Sequence, residues 1–188
     1  MEGKGAGQAE AEFRRLYEAV FPVIFRVAYR ITNSGEAAED LSQEAFFRLY
    51  EKKMVFPSTD EAKYWLIRVV KNASLNYAKR KERERRAYQR AFREDERTEK
   101  TGESLLVEKE TREEIRQALE QLPENLRMVL VLKEYGELNY REIGRVLGIS
   151  EGNVKVRVFR ARERLTGLLA EENFRAEEKF RKDGSHVS

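Results

Sequence analysis

The chain has 188 residues, with 37 Lys+Arg against 34 Asp+Glu for a net charge of +3, and 38% of its positions are charged. That length suits one domain or two modest ones and excludes a large multidomain enzyme, while 40% hydrophobic residues supply one or two small cores. With no cysteine and a single histidine, His186, disulfides, thiolate metal sites and Cys nucleophiles are excluded, and a lone imidazole cannot complete a zinc site.

No Gly-rich phosphate loop of standard spacing occurs, and no nucleophile, base or metal-ligand set converges. We therefore expect no catalytic residue, no metal and no cofactor. The first ten residues, Met1 to Glu10, are polar, and no apolar run approaches the roughly 20 residues that span a bilayer, so a cytoplasmic protein without membrane insertion is expected.

Apolar residues recur at three- and four-residue intervals and strand alternation is absent, which predicts an all-α chain of two small helical domains joined by a charged linker. Residues 1–8 are expected to be disordered. The first domain, 9–88, opens with Phe13, Leu16, Tyr17 and Val20. Pro22 then starts or bends the stretch through Ile24, Val27, Ala28 and Ile31, and Asn33, Ser34 and Gly35 make a turn. A second helix is predicted from about Glu36 to Tyr50, with Ala38, Leu41, Ala45 and Leu49 as its core stripe. Asp40, Gln43, Glu44 and Phe47 cluster on another face, an acidic surface suited to a protein partner or simply to solvent.

A third helix is predicted from about Thr59 to at least Arg80, where Ser58 and Glu61 have capping-box spacing. Trp65, Leu66, Val69 and Ala73 are its expected core. Tyr64, Arg68, Lys71, Asn72, Asn76, Lys79 and Arg80 remain for other surfaces, and cations interleaved with amides and aromatics suit a nucleic-acid strand. From Lys79 to about Gly102 the apolar period fades into charge, a helix extension running into a linker at 89–104.

The second domain, 105–170, begins with Ile115, Leu119 and Leu122 on one face, then Pro123 at the start of a helix carrying Leu126, Val129, Leu130 and Leu132. Residues 139–169, NYREIGRVLGISEGNVKVRVFRARERLTGLL, have the logic of a helix-turn-helix. Asn139 and Glu142 cap a short helix, Ile143 and Leu147 face inward, Gly144 permits a close crossing, Gly148 turns the backbone and Ser150 caps the next helix. On that helix Val154, Val158, Ala161, Leu165 and Leu168 share a face. Ser150, Glu151, Asn153, Lys155 and Val156 lie at the leading end of a recognition helix, and Arg157, Arg160 and Arg162 suit phosphates. Val156 and Phe159 either pack on preceding helices or touch DNA. Residues 171–188 form a mixed-charge tail.

The segments AAEDLSQEAFFRLY, YWLIRVVKNASLNYAKR and ALEQLPENLRMVLVLKEYGELNYREIGRVLGISEGNVKVRVFRARERL, in this order, resemble a bacterial RNA polymerase sigma factor of the extracytoplasmic function (ECF) group, over about residues 10 to 170. The resemblance implies a sigma-two domain at 9–88 and a sigma-four domain at 105–170. It implies that Asp40, Leu41, Gln43, Glu44 and the Phe46–Phe47 pair dock on the β′ clamp helices of core polymerase. It implies that Tyr64, Trp65, Arg68, Lys71, Asn72, Asn76, Lys79 and Arg80 meet the minus-ten element, with the 50–60 loop accepting a flipped base. Residues Ser150, Glu151, Asn153, Lys155, Val156, Arg157, Phe159 and Arg160 would read the minus-thirty-five element beside the β flap.

The implied partners are core polymerase, promoter DNA both as duplex and as melted strand, and an anti-sigma factor, which in this family is often membrane-anchored. Relative to the usual pattern, Asn76 stands where aspartate is common, Lys79 where arginine is, Gly144 where alanine is, and Val156 where a small polar residue is frequent. The alternative reading is a stand-alone helix-turn-helix regulator with an N-terminal sensor or dimerisation domain.

Overall fold

The computed structural model describes the backbone of residues 3–91 and 106–183 and the side chains of 10–90 and 114–171. Most of the linker, and the end of the tail with His186, lie outside the described residues. Seven helices make up the regular structure among the described residues: α1 Gly3–Thr32, α2 Gly35–Glu51, α3 Thr59–Ala91, α4 Leu106–Gln121, α5 Glu124–Glu134, α6 Tyr140–Leu147 and α7 Glu151–Asp183. The chain forms two compact units, one of residues 1–95 with 131–151 and the other of 96–130 with 152–188.

In the first unit α1, α2 and α3 pack against one another around Val20, Ile24, Val27, Ala38, Phe46, Leu66, Ile67 and Val70, all almost completely buried. Full burial of each large aliphatic side chain contributes roughly 1.5–3 kcal/mol. Local chemistry fixes the joints between these helices. Asn33 takes a left-handed conformation at φ 55, and the Ser34 hydroxyl accepts from Ala37 N at 3.2 Å to start α2. Ser58 Oγ likewise accepts from Glu61 N at 3.2 Å at the start of α3.

Several expectations shift here. Pro22 does not start a helix but lies inside α1, and α1 already begins at Gly3, within the segment expected to be disordered. The buried stripe of α3 is Ala62, Leu66, Ile67, Val70 and Ser74 rather than Trp65, Leu66, Val69 and Ala73, so the helix is rotated from the expected phase. Trp65, Val69 and Ala73 are half-buried at its margin. Phe46 is 2% exposed and belongs to the core, whereas its neighbour Phe47 is 60% exposed. Leu41 is half-buried, and Ala37 and Ser42 take part in the α2 stripe.

Also in the first unit, α6 lies against α3. Asn139 and Glu142 form the expected capping box, with Glu142 N to Asn139 Oδ1 at 3.0 Å and Asn139 N to Glu142 Oε2 at 2.7 Å. Gly148 closes α6 in the left-handed region at φ 70. Gly144 is required for a tighter reason than a crossing helix: a Cβ there would stand 2.7 Å from the Ile149 carbonyl oxygen, in the turn itself.

In the second unit Ala118, Leu122, Met128, Val129, Val154, Val158 and Ala161 are buried. Pro123 immediately precedes α5 and its carbonyl accepts from Leu126 N and Arg127 N, each at 2.9 Å. The segment expected to be a separate tail begins as an unbroken continuation of α7, which reaches Asp183.

Gly148→Ala should cost about 1–2 kcal/mol, because a Cβ is strained in the left-handed region. Gly144→Ala should cost about 1–3 kcal/mol through a clash with backbone rather than with a movable side chain. Gly152→Ala, with nothing within 4 Å, should be neutral or stabilising by up to about 1 kcal/mol. Urea unfolding of the three variants checks that order.

Candidate nucleic-acid and protein interfaces

The acidic face of α2 survives folding. Asp40, Gln43, Glu44 and Phe47 are exposed. Glu44 pairs with Arg48, and Gln43 Nε2 donates to Glu39 Oε1 at 3.2 Å. At the end of α2 the apolar exposure continues with Tyr50 at 65% and, in the loop before α3, Val55 at 93%. Phe56 in that loop packs on Trp65, ring centroids 5.9 Å apart.

On α3, Arg68, Asn72, Asn76, Lys79 and Arg80 are exposed and Tyr64 and Lys71 half-buried. The Arg80 guanidinium lies 5.6 Å from the Tyr77 ring centre. The core stripe therefore leaves intact the amide-and-cation face that the sequence marked.

The helix-turn-helix presents Ser150, Glu151, Asn153, Lys155, Val156, Phe159 and Arg160 to solvent, with Arg157 half-buried and its Nε donating to Asn153 Oδ1 at 3.1 Å. Val156 and Phe159 are 48% and 63% exposed, so neither is spent on packing. Val154, Val158 and Ala161 take the buried side; Leu165 and Leu168 are half-buried. Arg141, Gly144, Arg145, Gly148, Ile149, Ser150 and Glu151 line an open cleft of about 470 Å³ beside the turn.

Three contacts join α3 to α6 within the first unit. Tyr64 Oη donates to Glu142 Oε1 at 2.5 Å, Arg68 Nη2 donates to the Arg145 carbonyl at 2.5 Å, and Arg145 Nη1 pairs with Glu61 Oε1 at 3.1 Å. Two of the residues expected at the minus-ten element, Tyr64 and Arg68, are thus engaged with the first helix of the helix-turn-helix. Residues preceding α6 also meet α1, where Arg26 pairs with Glu137 and the Arg30 guanidinium lies 4.2 Å from the Tyr135 ring centre. Sequence reasoning found the Glu142 cap but not its second bond, because Tyr64 is 78 residues away and no local pattern marks the pairing.

Glu142 consequently serves two helices with one carboxylate. Burial pushes its pKa up, but bonds from Tyr64 and the Asn139 backbone, with the charges of Lys63 and Arg145, hold it below the usual carboxylate value. The Tyr64 hydroxyl is pushed up to about 12, first by its bond to Glu142, then by burial and by the charges of Glu142 and Asp60.

A helical domain with an acidic face on α2 and a cationic face on α3, followed by a helix-turn-helix, has the surfaces of a DNA-binding transcription factor. Residues 16–84 match the family described as Sigma-70 region 2, and residues 112–165 match Sigma-70, region 4. The chain is 31% identical over 163 residues to the ECF RNA polymerase sigma factor SigM of Bacillus subtilis, covering 81% of this chain and 92% of that protein. It is 33% identical over 153 residues to the ECF RNA polymerase sigma factor SigE of Mycolicibacterium smegmatis, covering 78% of this chain and 57% of that longer relative.

The chain belongs to the ECF RNA polymerase sigma factors. Its fold is also that of solved structures: Bartonella quintana RpoE in complex with the anti-sigma factor NepR (TM-score 0.62, 23% identity, covering 85% of this chain and 97% of that one), and CnrH in complex with the cytosolic domain of CnrY (0.63, 21%, 88% and 95%). Among the described residues no helix is long and apolar enough to cross a membrane.

Because the folded pKa of Glu142 is depressed, its stabilising contribution is complete above the ordinary carboxylate range and disappears as pH falls through the folded value. Glu142→Gln should cost about 1–2 kcal/mol at pH 7. The stability gap to wild type should close progressively below the ordinary Glu pKa, as followed by denaturant unfolding across pH.

Proposed function

We propose that the chain binds bacterial RNA polymerase core through the α2 face of Asp40, Leu41, Gln43, Glu44 and Phe47, and directs it to promoters with two spaced elements. The observation that carries this reading is the division of surfaces around one small core: an acidic face with an exposed Phe47 on α2, and an amide-and-cation face of Asn72, Asn76, Lys79 and Arg80 on α3. The first chemistry repels DNA and suits the positive surface of a protein; the second suits DNA. The minus-ten element meets Tyr64, Arg68, Lys71, Asn72, Asn76, Lys79 and Arg80. The minus-thirty-five element meets Ser150, Glu151, Asn153, Lys155, Val156, Arg157, Phe159 and Arg160, with the sigma-four region close to the β flap.

No bond chemistry is required. Two DNA-reading surfaces held on one polymerase act through effective concentration, so each stays weak alone. Melting follows from capture: an unstacked base in the 50–60 loop, where Tyr50 and Val55 are exposed, and a strand along α3 together offset an unstacking cost of a few kcal/mol. An anti-sigma factor that covers these surfaces is the regulator we propose, by analogy with the NepR and CnrY complexes of similar fold. Such a partner could hold the chain at a membrane.

Run-off transcription with purified core polymerase on a promoter pool tests the reading: new starts sharing two spaced upstream elements are expected, and absence of both starts and retention on core would overturn it. Phe47→Ala should weaken core retention by about 1–3 kcal/mol, as expected for an aromatic anchor. Lys71→Ala with Lys79→Ala should slow promoter opening measured by permanganate reactivity. Lys155→Ala should change which upstream element is preferred, by about 1–3 kcal/mol between sequences.

A further inference from the structure

The third helix does not stop where its core stops. After Tyr77 and Ala78, both half-buried, every residue of α3 from Arg83 to Arg90 is exposed, so no apolar face anchors these turns. A helix that is polar all round is held by its own side-chain pairs or bridges to something else. The pairs are present: Glu82 takes Arg85 at 3.0 Å and Arg86 at 2.6 Å, and Glu84 takes Lys81 at 3.3 Å and Arg80 at 3.6 Å. They leave a large excess of cations, seven against two carboxylates between Lys79 and Arg90. The Glu82 carboxyl is drawn down to about 2 by its bonds to Arg85 and Arg86.

The register of this excess is not random. Arg68, Asn72, Asn76, Lys79, Arg83, Arg86 and Arg90 follow one another at spacings of four, four, three, four, three and four, which is one continuous line along a helix of 3.6 residues per turn. All seven are exposed. Glu84 falls off that line, and Glu82 borders it, paired with Arg86. The face assigned above to the minus-ten element therefore runs on, without a break in phase and with cations in excess, for three further turns. From Lys79 to Arg90 that is about 16 Å, the rise of about five base pairs.

We propose that Arg83, Arg86 and Arg90 form a phosphate-tracking extension of the minus-ten surface, gripping the backbone of intact duplex just upstream of that element without reading its sequence. The direction follows from the helix. The loop of residues 50–60, where a flipped base is captured, precedes α3, so the far end of α3 points away from the melted segment. The extension adds affinity and salt dependence to the complex, while the choice of promoter stays with the residues before it. Exposed Arg–Glu pairs are weak, so Arg86 exchanges Glu82 for a phosphate at little cost. This inference rests on the sigma-factor reading above.

The test uses holoenzyme assembled from core polymerase and the full chain, on a promoter fragment recovered from the run-off screen. Arg83→Gln, Arg86→Gln and Arg90→Gln together keep good helix formers. The expected result is a roughly tenfold weaker complex whose logarithmic salt slope is smaller in magnitude by about 2–3, near 0.9 for each lost phosphate contact. Start sites should not move. The matching triple Lys variant should keep the wild-type slope. On a fragment whose duplex ends at the upstream edge of the minus-ten element, the wild type and Gln variant should bind alike.

An unchanged slope, a deficit that persists on the shortened fragment, or a slope lost in the Lys variant too would each overturn the proposal. Loss of core retention by the Gln variant would overturn it as well, and would assign the arginines to an acidic protein surface. Failure of the sigma reading looks different, since the wild type itself would then give neither starts nor retention.

Discussion

Each of the first three helices is buried along only one stripe, and that constraint governs everything the first unit offers to a partner. Ile24 of α1 and Leu66, Ile67 and Val70 of α3 have no exposed surface at all. Once those positions are fixed, helical geometry leaves no freedom over which residues face outward. Asp40, Gln43, Glu44 and Phe47 emerge from α2 as one surface, and Arg68, Asn72 and Asn76 from α3 as another. Two faces of opposite charge can coexist on so small a body because each belongs to a different helix. The net charge of +3 conceals this division.

Local signals in the sequence were legible wherever a single residue type does a single job. The Asn139–Glu142 box, the Gly148 turn and the bond from Glu61 N to Ser58 depend on neighbours within four positions, and each has its expected partner or conformation, while Ser34, read only as part of a turn, also caps α2. The all-α architecture followed from periodicity, and the family from the resemblance of three motifs in their order. Phase was harder. On α3, Trp65, Val69 and Ala73 are as apolar as Ile67 and Val70, and only packing against α1 and α2 decides which set goes inside. The Phe46–Phe47 pair poses the same ambiguity one residue at a time. What could not be read at all were contacts distant in sequence, such as Tyr64 with Glu142 and Arg145 with Glu61.

Glu142 links two scales of organisation. One oxygen closes the cap of α6, and the other receives a hydroxyl from α3. A residue chosen for local helix chemistry thereby acquires a tertiary role. Displacing Tyr64 from Glu142 would leave the cap in place, because the Asn139 bonds use other atoms. The contact between α3 and α6 can thus be exchanged for another partner without unravelling the short helix that makes it.

The packing of Phe56 on Trp65 has an optical consequence. Trp65 is the single tryptophan of the chain, and it lies half-buried against the loop that precedes α3. The protein therefore carries one indole fluorophore, placed beside the loop proposed to receive an unstacked base. Any rearrangement of Phe56 alters the polarity and quenching around that indole, while the eight tyrosines spread over the chain contribute a separable background. Loop motion in the free, unlabelled chain can be followed in the emission of one residue.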